Sequence, residues 1–236
     1  MLARNNGIFL KMNFTSRITF TLTLVACLVS GSCLSGHQMQ KSSHTWSFGQ
    51  PWLPQPDPAF APGQVTLGLS GNELVIRAEL TDAHPIRDVF PLNFPAFRQC
   101  DAFEIFLGPA DEKAYYELHV TPSNSILQLY FDATEGEKTL EERMVANPLF
   151  TSRTELNPEG WSVEARIPLK GLFPGDHPEW LLSFGRYDYK PGRPKPVIST
   201  TSPHTVCSFH RKHEWRHVRL ADLPLPLAGV GFFSRP

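Results

Sequence analysis

The feature that most constrains the fold is a period-two alternation of apolar and polar residues, repeated in short runs from Val65 to Leu220. Successive side chains of a β-strand point to opposite faces, so each run predicts a strand with one buried face. Turn residues separate the runs, and Ser70-Gly71-Asn72 predicts a hairpin between the first two. The eight predicted strands are marked by Val65–Leu69, Leu74–Leu80, Phe103–Leu107, Tyr116–Val120, Leu127–Phe131, Trp161–Ile167, Leu182–Phe184 and Val218–Leu220.

Proline argues against long helices, because the 22 prolines fall between the apolar runs. The only helix candidates are residues 137–145 and one turn at 169–172. A hydrophobic content of 41% with 11% aromatic residues is enough for a packed core. We therefore predict an all-β fold, an antiparallel β-sandwich of the jelly-roll-like kind, as a single domain over residues 64–222. Residues 223–236 are then a C-terminal tail.

The charge balance gives no indication of a polyanionic partner. The 22 Lys and Arg residues nearly match the 23 Asp and Glu residues, for a net charge of -1. Nucleic-acid binding usually needs a clear excess of basic residues. We therefore expect no nucleic-acid partner.

The N-terminal segment, residues 1–33, predicts export. Arg17 precedes an uncharged stretch from Ile18 to Val29, and the small residues Ser30-Gly31-Ser32 follow. This order is typical of a secretory signal, and the apolar stretch is too short for a membrane span. Met12 would make a suitable start of the signal.

Two cysteines at the end of this segment are lipidation candidates. Leu24-Val25-Ala26-Cys27 is similar to a bacterial lipoprotein box, and Cys33 lies at a more usual distance from Met12. A lipid on either would anchor the chain to the cell envelope, on the periplasmic or outer surface, and would be its only membrane contact. A cleaved, secreted form with incidental cysteines is the alternative.

Residues 34–63 predict a linker, or an arm laid on the domain, because they are rich in proline and aromatic residues without strand or helix periodicity. The predicted domain itself contains Cys100 and Cys207. In an oxidising compartment such a pair can form a disulfide, and two free thiols are the alternative.

Five sequence segments occur in an order that is typical of a known family. Asp101 to Leu107 has the pattern D-x-hydrophobic-E-hydrophobic-F, and Tyr115 to Pro122 follows it. Gly160 to Pro168 reads G-W-S-V-E-A-R-I-P, and Phe184-Gly185-Arg186-Tyr187 precedes a closing segment, residues 209–220. Over residues 65–221 the chain resembles the family 9 carbohydrate-binding modules and the wider DOMON-like sandwich domains.

The resemblance implies a site in which two aromatic rings hold a sugar ring and polar side chains bind its hydroxyl groups. The walls would be Phe97, with Phe94 near it, and Phe209, where well-known members have tryptophan. The polar candidates are Glu104, Arg98, Gln99 and His210. The resemblance would also make Cys100 and Cys207 neighbours, and a bridge closing a loop that long could stabilise the fold by about 4 kcal/mol.

The resemblance raises two cofactor questions. Structural calcium could be held by loop carboxylates from Asp82, Asp88 or Asp101. Haem-binding relatives use Met and His, for which Met144 and His119 are available, but a hydrogen-bonded histidine is the simpler interpretation and we expect no haem.

Enzyme motifs are weak. His213-Glu214-Trp215-Arg216-His217 matches the zinc-protease pattern H-E-x-x-H, which functions on a helix. Here it runs into the last predicted strand, so we expect no zinc site. Glu104 and Glu164 could be imagined as a glycosidase pair, but nothing in the sequence brings them together.

The sequence therefore predicts an exported, non-catalytic, carbohydrate-binding β-sandwich whose ligand is a monosaccharide or an oligosaccharide end. A cell-envelope scaffold that uses the same sandwich to contact another protein is the alternative. A haem-binding module ranks below both. Partner glycan-processing proteins are not identified by the sequence.

Overall fold

The computed structural model describes residues 44–133 and 138–225, which form two antiparallel sheets packed face to face. Sheet A contains, in spatial order, β1 (His44–Ser47), β2 (Gly63–Ser70), β3 (Glu73–Thr81), β8 (Gly160–Pro168) and β7 (Thr151–Asn157). Sheet B contains β10 (Val197–Thr200), β9 (Glu179–Asp188), β4 (Ala102–Pro109), β5 (Tyr115–Val120) and β6 (Ile126–Phe131), with β11 (Arg216–Arg219) also paired to β9. The predicted all-β sandwich is confirmed.

Each of the eight predicted runs lies in or overlaps a strand, and the predicted hairpin joins β2 to β3 through Gly71, whose φ is 60°. Three strands were missed, namely β1, β7 and β10. Each of them is an edge strand of its sheet and pairs with one neighbouring strand. The sequence of β7, T-S-R-T-E-L-N, contains few apolar residues. An edge strand buries less surface, so its sequence carries less of the alternation.

The core between the sheets is built from the inward side chains of both sheets. Phe103 of β4 stacks on Phe184 of β9 with ring centroids 5.7 Å apart, and Trp161 of β8 is fully buried opposite them. Burial of each such side chain contributes roughly 1.5–3 kcal/mol. The apolar positions of the motifs that resemble the family are therefore positions of the core.

Segments at both ends of the sandwich contribute to its core. Residues 44–47, inside the predicted linker or arm, form β1, and Trp46 and Phe48 pack into the core against Phe184 and Phe103. At the other end Leu223, the first residue of the predicted tail, is buried, and the backbone N–H of Leu69 donates to the backbone oxygen of Pro224. Aromatic and leucine side chains can fill the open ends of a sandwich even where the sequence shows no period-two alternation.

The two helix candidates shrink to short turns. The only α-helix in residues 44–133 and 138–225 is α1 (Leu140–Arg143), which begins with a capping box between Thr139 and Glu142. Residues 169–172 form a single turn in which Leu172 donates to Leu169. No helix in these ranges has the length and apolar character that a membrane span requires.

Candidate functional site

The outer face of sheet B, which faces away from the core, carries the candidate site. On β4 the alternation places Phe103 and Ile105 in the core and Glu104 and Phe106 on the outer face. The pairing register sets Glu104 opposite His119 of β5 on one side and opposite Gly185 of β9 on the other. Glu104, His119 and Gly185 of three adjacent strands therefore lie in one row on the outer face.

A long connection between β10 and β11 folds over this face. Its Phe209 and Trp215 rings lie 5.7 and 5.6 Å from the Phe106 ring, forming a second, smaller aromatic cluster. The indole N–H of Trp215 donates to the backbone oxygen of Phe209 at 2.8 Å, which fixes the two rings relative to each other.

Two charged residues shape that connection. Lys212 Nζ donates to the backbone oxygens of Pro109, Glu112 and Ala114 at 2.8–2.9 Å, tying the connection to the β4–β5 hairpin. Burial lowers the pKa of Lys212 to about 8. Glu214 accepts from Arg211 and Thr205, and these hydrogen bonds hold its pKa well below the usual range.

Gly185 leaves room for this arrangement. A Cβ at this position would lie 2.7 Å from Phe209 Cε2 and 2.9 Å from Glu104 Oε2, closer than such atoms approach. The ring of Phe209 therefore lies directly on the β9 backbone, beside Glu104.

Between the connection and the sheet lies an open cavity of about 220 Å³. Its floor comes from β4 and β5, and its sides come from β9, β10 and the connection. The lining residues are Glu104, Phe106, Glu117, Tyr187, Ile198, Cys207, Ser208, Phe209 and His210.

The floor contains a buried network of two carboxylates and one imidazole. His119 Nε2 lies 2.6 Å from Glu117 Oε1, and His119 Nδ1 lies 3.3 Å from Glu104 Oε1. Burial alone would lower the pKa of His119, but the two carboxylates outweigh it and raise that pKa. Burial raises the pKa of Glu104 to about 8, against the attraction of His119.

An aromatic row continues from the floor along the sheet. Tyr115 stacks on Phe131 with centroids 4.6 Å apart, and its hydroxyl lies 2.9 Å from His210 Nδ1. His210 sits over Phe131, with centroids 4.9 Å apart and its side chain about half exposed. The rim of the cavity therefore carries a histidine within reach of a bound ligand.

The two predicted aromatic walls do not face each other across the cavity. Tyr187 contacts both, with centroids 5.7 Å from Phe97 and 6.1 Å from Phe209. Phe209 lines the cavity, whereas Phe97 does not and packs against Tyr187 and His119. Phe94 is exposed and stacks on Phe90.

The polar candidates divide in the same way. Glu104 and His210 line the cavity. Arg98 and Gln99 are exposed at the end of a short 3-10 turn (Ala96–Arg98), where the Arg98 guanidinium lies over the ring of Phe97.

Sequence reasoning missed Glu117 and Tyr187, and considered His119 only as a haem ligand. The signal was present in the alternation. Leu118 and Val120 point into the core, so Glu117 and His119 must share the outer face with Glu104. On β9, Phe184 points into the core, so by the same alternation Tyr187, three residues later, points to the outer face.

The predicted disulfide is not formed, because Cys100 and Cys207 are both free thiols. Cys100 is fully buried beside the backbone oxygen of Ile86, 3.6 Å from its Sγ, and burial raises its pKa to about 12. Cys207 is exposed at the rim of the cavity. The resemblance placed the two near one cleft, but one side chain points into the protein and the other out of it.

The carboxylates proposed for calcium form a cluster that does not fit the ion. Asp82 and Asp101 come together with Asp188 rather than with Asp88, which is exposed. Both oxygens of Asp101 accept backbone N–H groups, from Ile86 and Tyr189, each at 2.7 Å.

The other two carboxylates of this cluster face cations from the chain itself. Lys190 Nζ lies 2.7 Å from Asp188 and 3.5 Å from Asp82, and the guanidinium of buried Arg186 lies 3.3 and 3.8 Å from the same pair. Calcium would have to displace an ammonium group from oxygens it already neutralises.

The other cofactor and enzyme candidates lack the required geometry. The H-E-x-x-H segment starts in a 3-10 turn (Lys212–Glu214) and enters β11, as expected, so it forms no helical zinc site. Both ring nitrogens of His119 face carboxylates, which leaves none for haem iron.

The imagined glycosidase pair is divided between the two sheets. Glu164 belongs to β8 of sheet A and binds Arg77, Arg153 and Arg166, whereas Glu104 belongs to sheet B. The lipidation candidates Cys27 and Cys33 and the signal segment lie outside the described residues.

Comparison with solved structures shows the fold. No protein-family model and no curated protein matches the sequence. The chain is similar to a candidate carbohydrate-binding protein from Bacteroides uniformis, with a TM-score of 0.60 and 12% identity over 75% of this chain and 86% of that one. It is also similar to a family 9 carbohydrate-binding module from Caldicellulosiruptor kristjanssonii in complex with glucose, with a TM-score of 0.50 and 18% identity over 69% and 78%. The predicted likeness to family 9 carbohydrate-binding modules is confirmed as a likeness of fold.

Proposed function

We propose that this chain binds a single sugar ring in the cavity on the outer face of sheet B and does not act on it chemically. One observation carries the proposal: an open cavity combines aromatic rings on its sides with a floor of buried hydrogen-bonding groups. A pyranose presents C–H groups on its faces and hydroxyl groups at its edge, so it needs both kinds of surface at once.

The dimensions favour one ring. At about 220 Å³ the cavity is smaller than the ~300 Å³ lower end of pockets for drug-sized ligands. A monosaccharide or the end of an oligosaccharide suits that space, with the remaining sugars in solvent. Half-buried Tyr187 offers the more open ring face, and the buried ring of Phe209 lies beside it with centroids 6.1 Å apart.

The polar groups suit hydroxyl recognition. Glu104 and Glu117 accept hydrogen bonds, while His210 and Ser208 at the rim can donate or accept. The family 9 module that shares this fold holds glucose, which supports a sugar as the ligand here. Both carboxylates of the cavity, Glu104 and Glu117, lie on one floor and face His119 rather than flanking a ligand from two sides, which supports binding without hydrolysis.

The cavity proposal is tested by affinity electrophoresis and a glycan-array screen of the full chain. We expect binding that is lost in Phe209→Ala and Tyr187→Ala. Phe94→Ala, an exposed phenylalanine that does not line the cavity, is the matched control and should bind normally. Binding to no glycan by folded protein would instead favour the scaffold function.

We further propose that the chain is exported and lipid-anchored to the bacterial cell envelope. The support is the order of Arg17, the apolar stretch and the two cysteines in the sequence. Labelling with a radioactive fatty acid in a bacterial host tests this proposal. Cys27→Ser or Cys33→Ser should abolish the label, and a label that survives the double variant would contradict lipidation at these sites.

A further inference from the structure

The cavity contains two acidic residues and no strongly basic one. Glu104 and Glu117 line it, and none of the described residues that line it is a lysine or arginine. His119 lies behind the floor and bridges the two carboxylates. His119 faces one oxygen of each carboxylate, so Glu104 and Glu117 each keep a second oxygen that can accept a hydrogen bond.

Glu117 offers a specific acceptor. Its Oε1 is engaged by His119 at 2.6 Å, but its Oε2 is buried and has no hydrogen-bond partner. His210 Nε2 at the rim lies 3.7 Å from Oε2, beyond hydrogen-bonding distance. A buried acceptor without a donor raises the free energy of the folded protein, so a ligand that donates a hydrogen bond to this oxygen would bind favourably.

The aromatic rings around the floor favour a cation as well. Phe106, Tyr187 and Phe209 line the same cavity, and the face of an aromatic ring attracts positive charge. An ammonium group can therefore contact a carboxylate and a ring face at once, whereas a carboxylate ligand would be repelled by the floor.

We propose that the cavity prefers a pyranose bearing an ammonium group, an amino sugar, over the neutral sugar of the same shape. This inference rests on the proposed function, because it names the class of sugar that the same cavity selects.

The test is calorimetric titration of the full chain with glucosamine, glucose and glucuronate at about pH 6, where amines are protonated. EDTA is present throughout to remove metal ions. A charge-assisted hydrogen bond is roughly twice as strong as a neutral one, so we expect glucosamine to bind about tenfold more tightly than glucose. Glucuronate should bind more weakly than glucose, and added salt should weaken glucosamine binding more than glucose binding.

Glu117→Gln separates charge from shape. In this variant the affinity for glucosamine should fall to that for glucose, while glucose binding changes little. Glu112→Gln, an exposed acid on the β4–β5 hairpin, is the control and should keep the preference.

Three results would overturn the inference. Equal affinity for glucosamine and glucose would do so and leave the proposed function standing. Zn²⁺ binding without EDTA that Glu117→Gln removes, with no preference among sugars, would assign the carboxylates to a metal ion. Binding of no sugar by folded protein would reject the proposed function together with this inference.

Discussion

Gly185 and Tyr187 lie two residues apart on the outer face of β9, and together they set the shape of the cavity. The missing side chain of Gly185 lets Phe209 lie on the backbone, and the ring of Tyr187 then separates Phe209 from Phe97. The positions of these rings follow from contacts between β9 and a connection that begins more than ten residues later. Spacing in the sequence alone cannot encode such a contact.

We expect Gly185→Ala to weaken sugar binding while the fold persists. The added methyl group would overlap Phe209 and Glu104, and overpacking of this kind costs about 1–3 kcal/mol. Gly49→Ala is the control, because a Cβ there meets nothing within 4 Å. Urea unfolding and calorimetric titration measure both effects, and unchanged affinity in Gly185→Ala would contradict the role given to Phe209.

The buried network predicts a pH dependence of stability. The folded-state pKa values of Glu104 and His119 are both raised, so the folded protein holds more protons there than the unfolded chain does. Each group therefore stabilises the fold fully below its unfolded pKa, ~4.3 for Glu and ~6.5 for His, and loses that contribution as pH rises through its folded pKa.

The Glu104→Gln variant isolates this contribution. Between about pH 4.5 and 8 the free energy of unfolding should fall less in Glu104→Gln than in the parent. Urea unfolding at a series of pH values measures the difference between the two proteins. Parallel curves over this range would show that Glu104 does not hold a proton in the folded state.

At the scale of elements, alternation predicted the strands that bury one face in the core. It could not predict β1 or β10, which are four residues long and pair along an edge. On β6 it marked Leu127, Leu129 and Phe131 as the apolar face, but these residues lie on the outer side of sheet B. Gln128 shares the inner side with Ile126 and Tyr130, and its amide holds the backbone at Val145, Asn147 and Leu149.

The connection that covers the site is tied to the β4–β5 hairpin by Lys212, and one substitution tests that tie. Lys212→Met removes three hydrogen bonds from a charged donor, and we expect a loss of about 1–3 kcal/mol in the free energy of unfolding. Hydrogen exchange should rise mainly in residues 204–215.

Lys113→Met is the matched control for this substitution. Lys113 is an exposed lysine on the same hairpin, and its replacement should change neither the stability nor the exchange rate. Uniform acceleration of exchange across both sheets in Lys212→Met would mean that this lysine supports the whole sandwich rather than the connection.

At the scale of the whole molecule, the sandwich has two clusters of buried acids, and they are neutralised differently. The cluster on the outer face has one imidazole for two carboxylates and opens into the cavity. The cluster of Asp82, Asp101 and Asp188 meets Arg186 and Lys190, and the guanidinium of Arg186 also donates to the backbone oxygens of Ala61, Pro62 and Thr81. The first arrangement leaves an acceptor for a ligand, and the second joins the start of β2, the end of β3 and β9 within the fold.

The second cluster predicts a stability that does not depend on calcium. Lys190 supplies the charge that a metal ion would otherwise provide, so chelation by EDTA should leave the melting temperature of the full chain unchanged. In Lys190→Gln, Asp82 and Asp188 lose one of their two cations. Because the lysine side chain is partly exposed, we expect a loss of about 2 kcal/mol rather than the larger cost of breaking a fully buried pair. Added calcium should restore part of that loss, while exposed Lys195→Gln should behave like the parent. A melting temperature that falls on chelation in the unaltered protein would show that the cluster binds a metal ion after all, and that Lys190 moves aside to admit it.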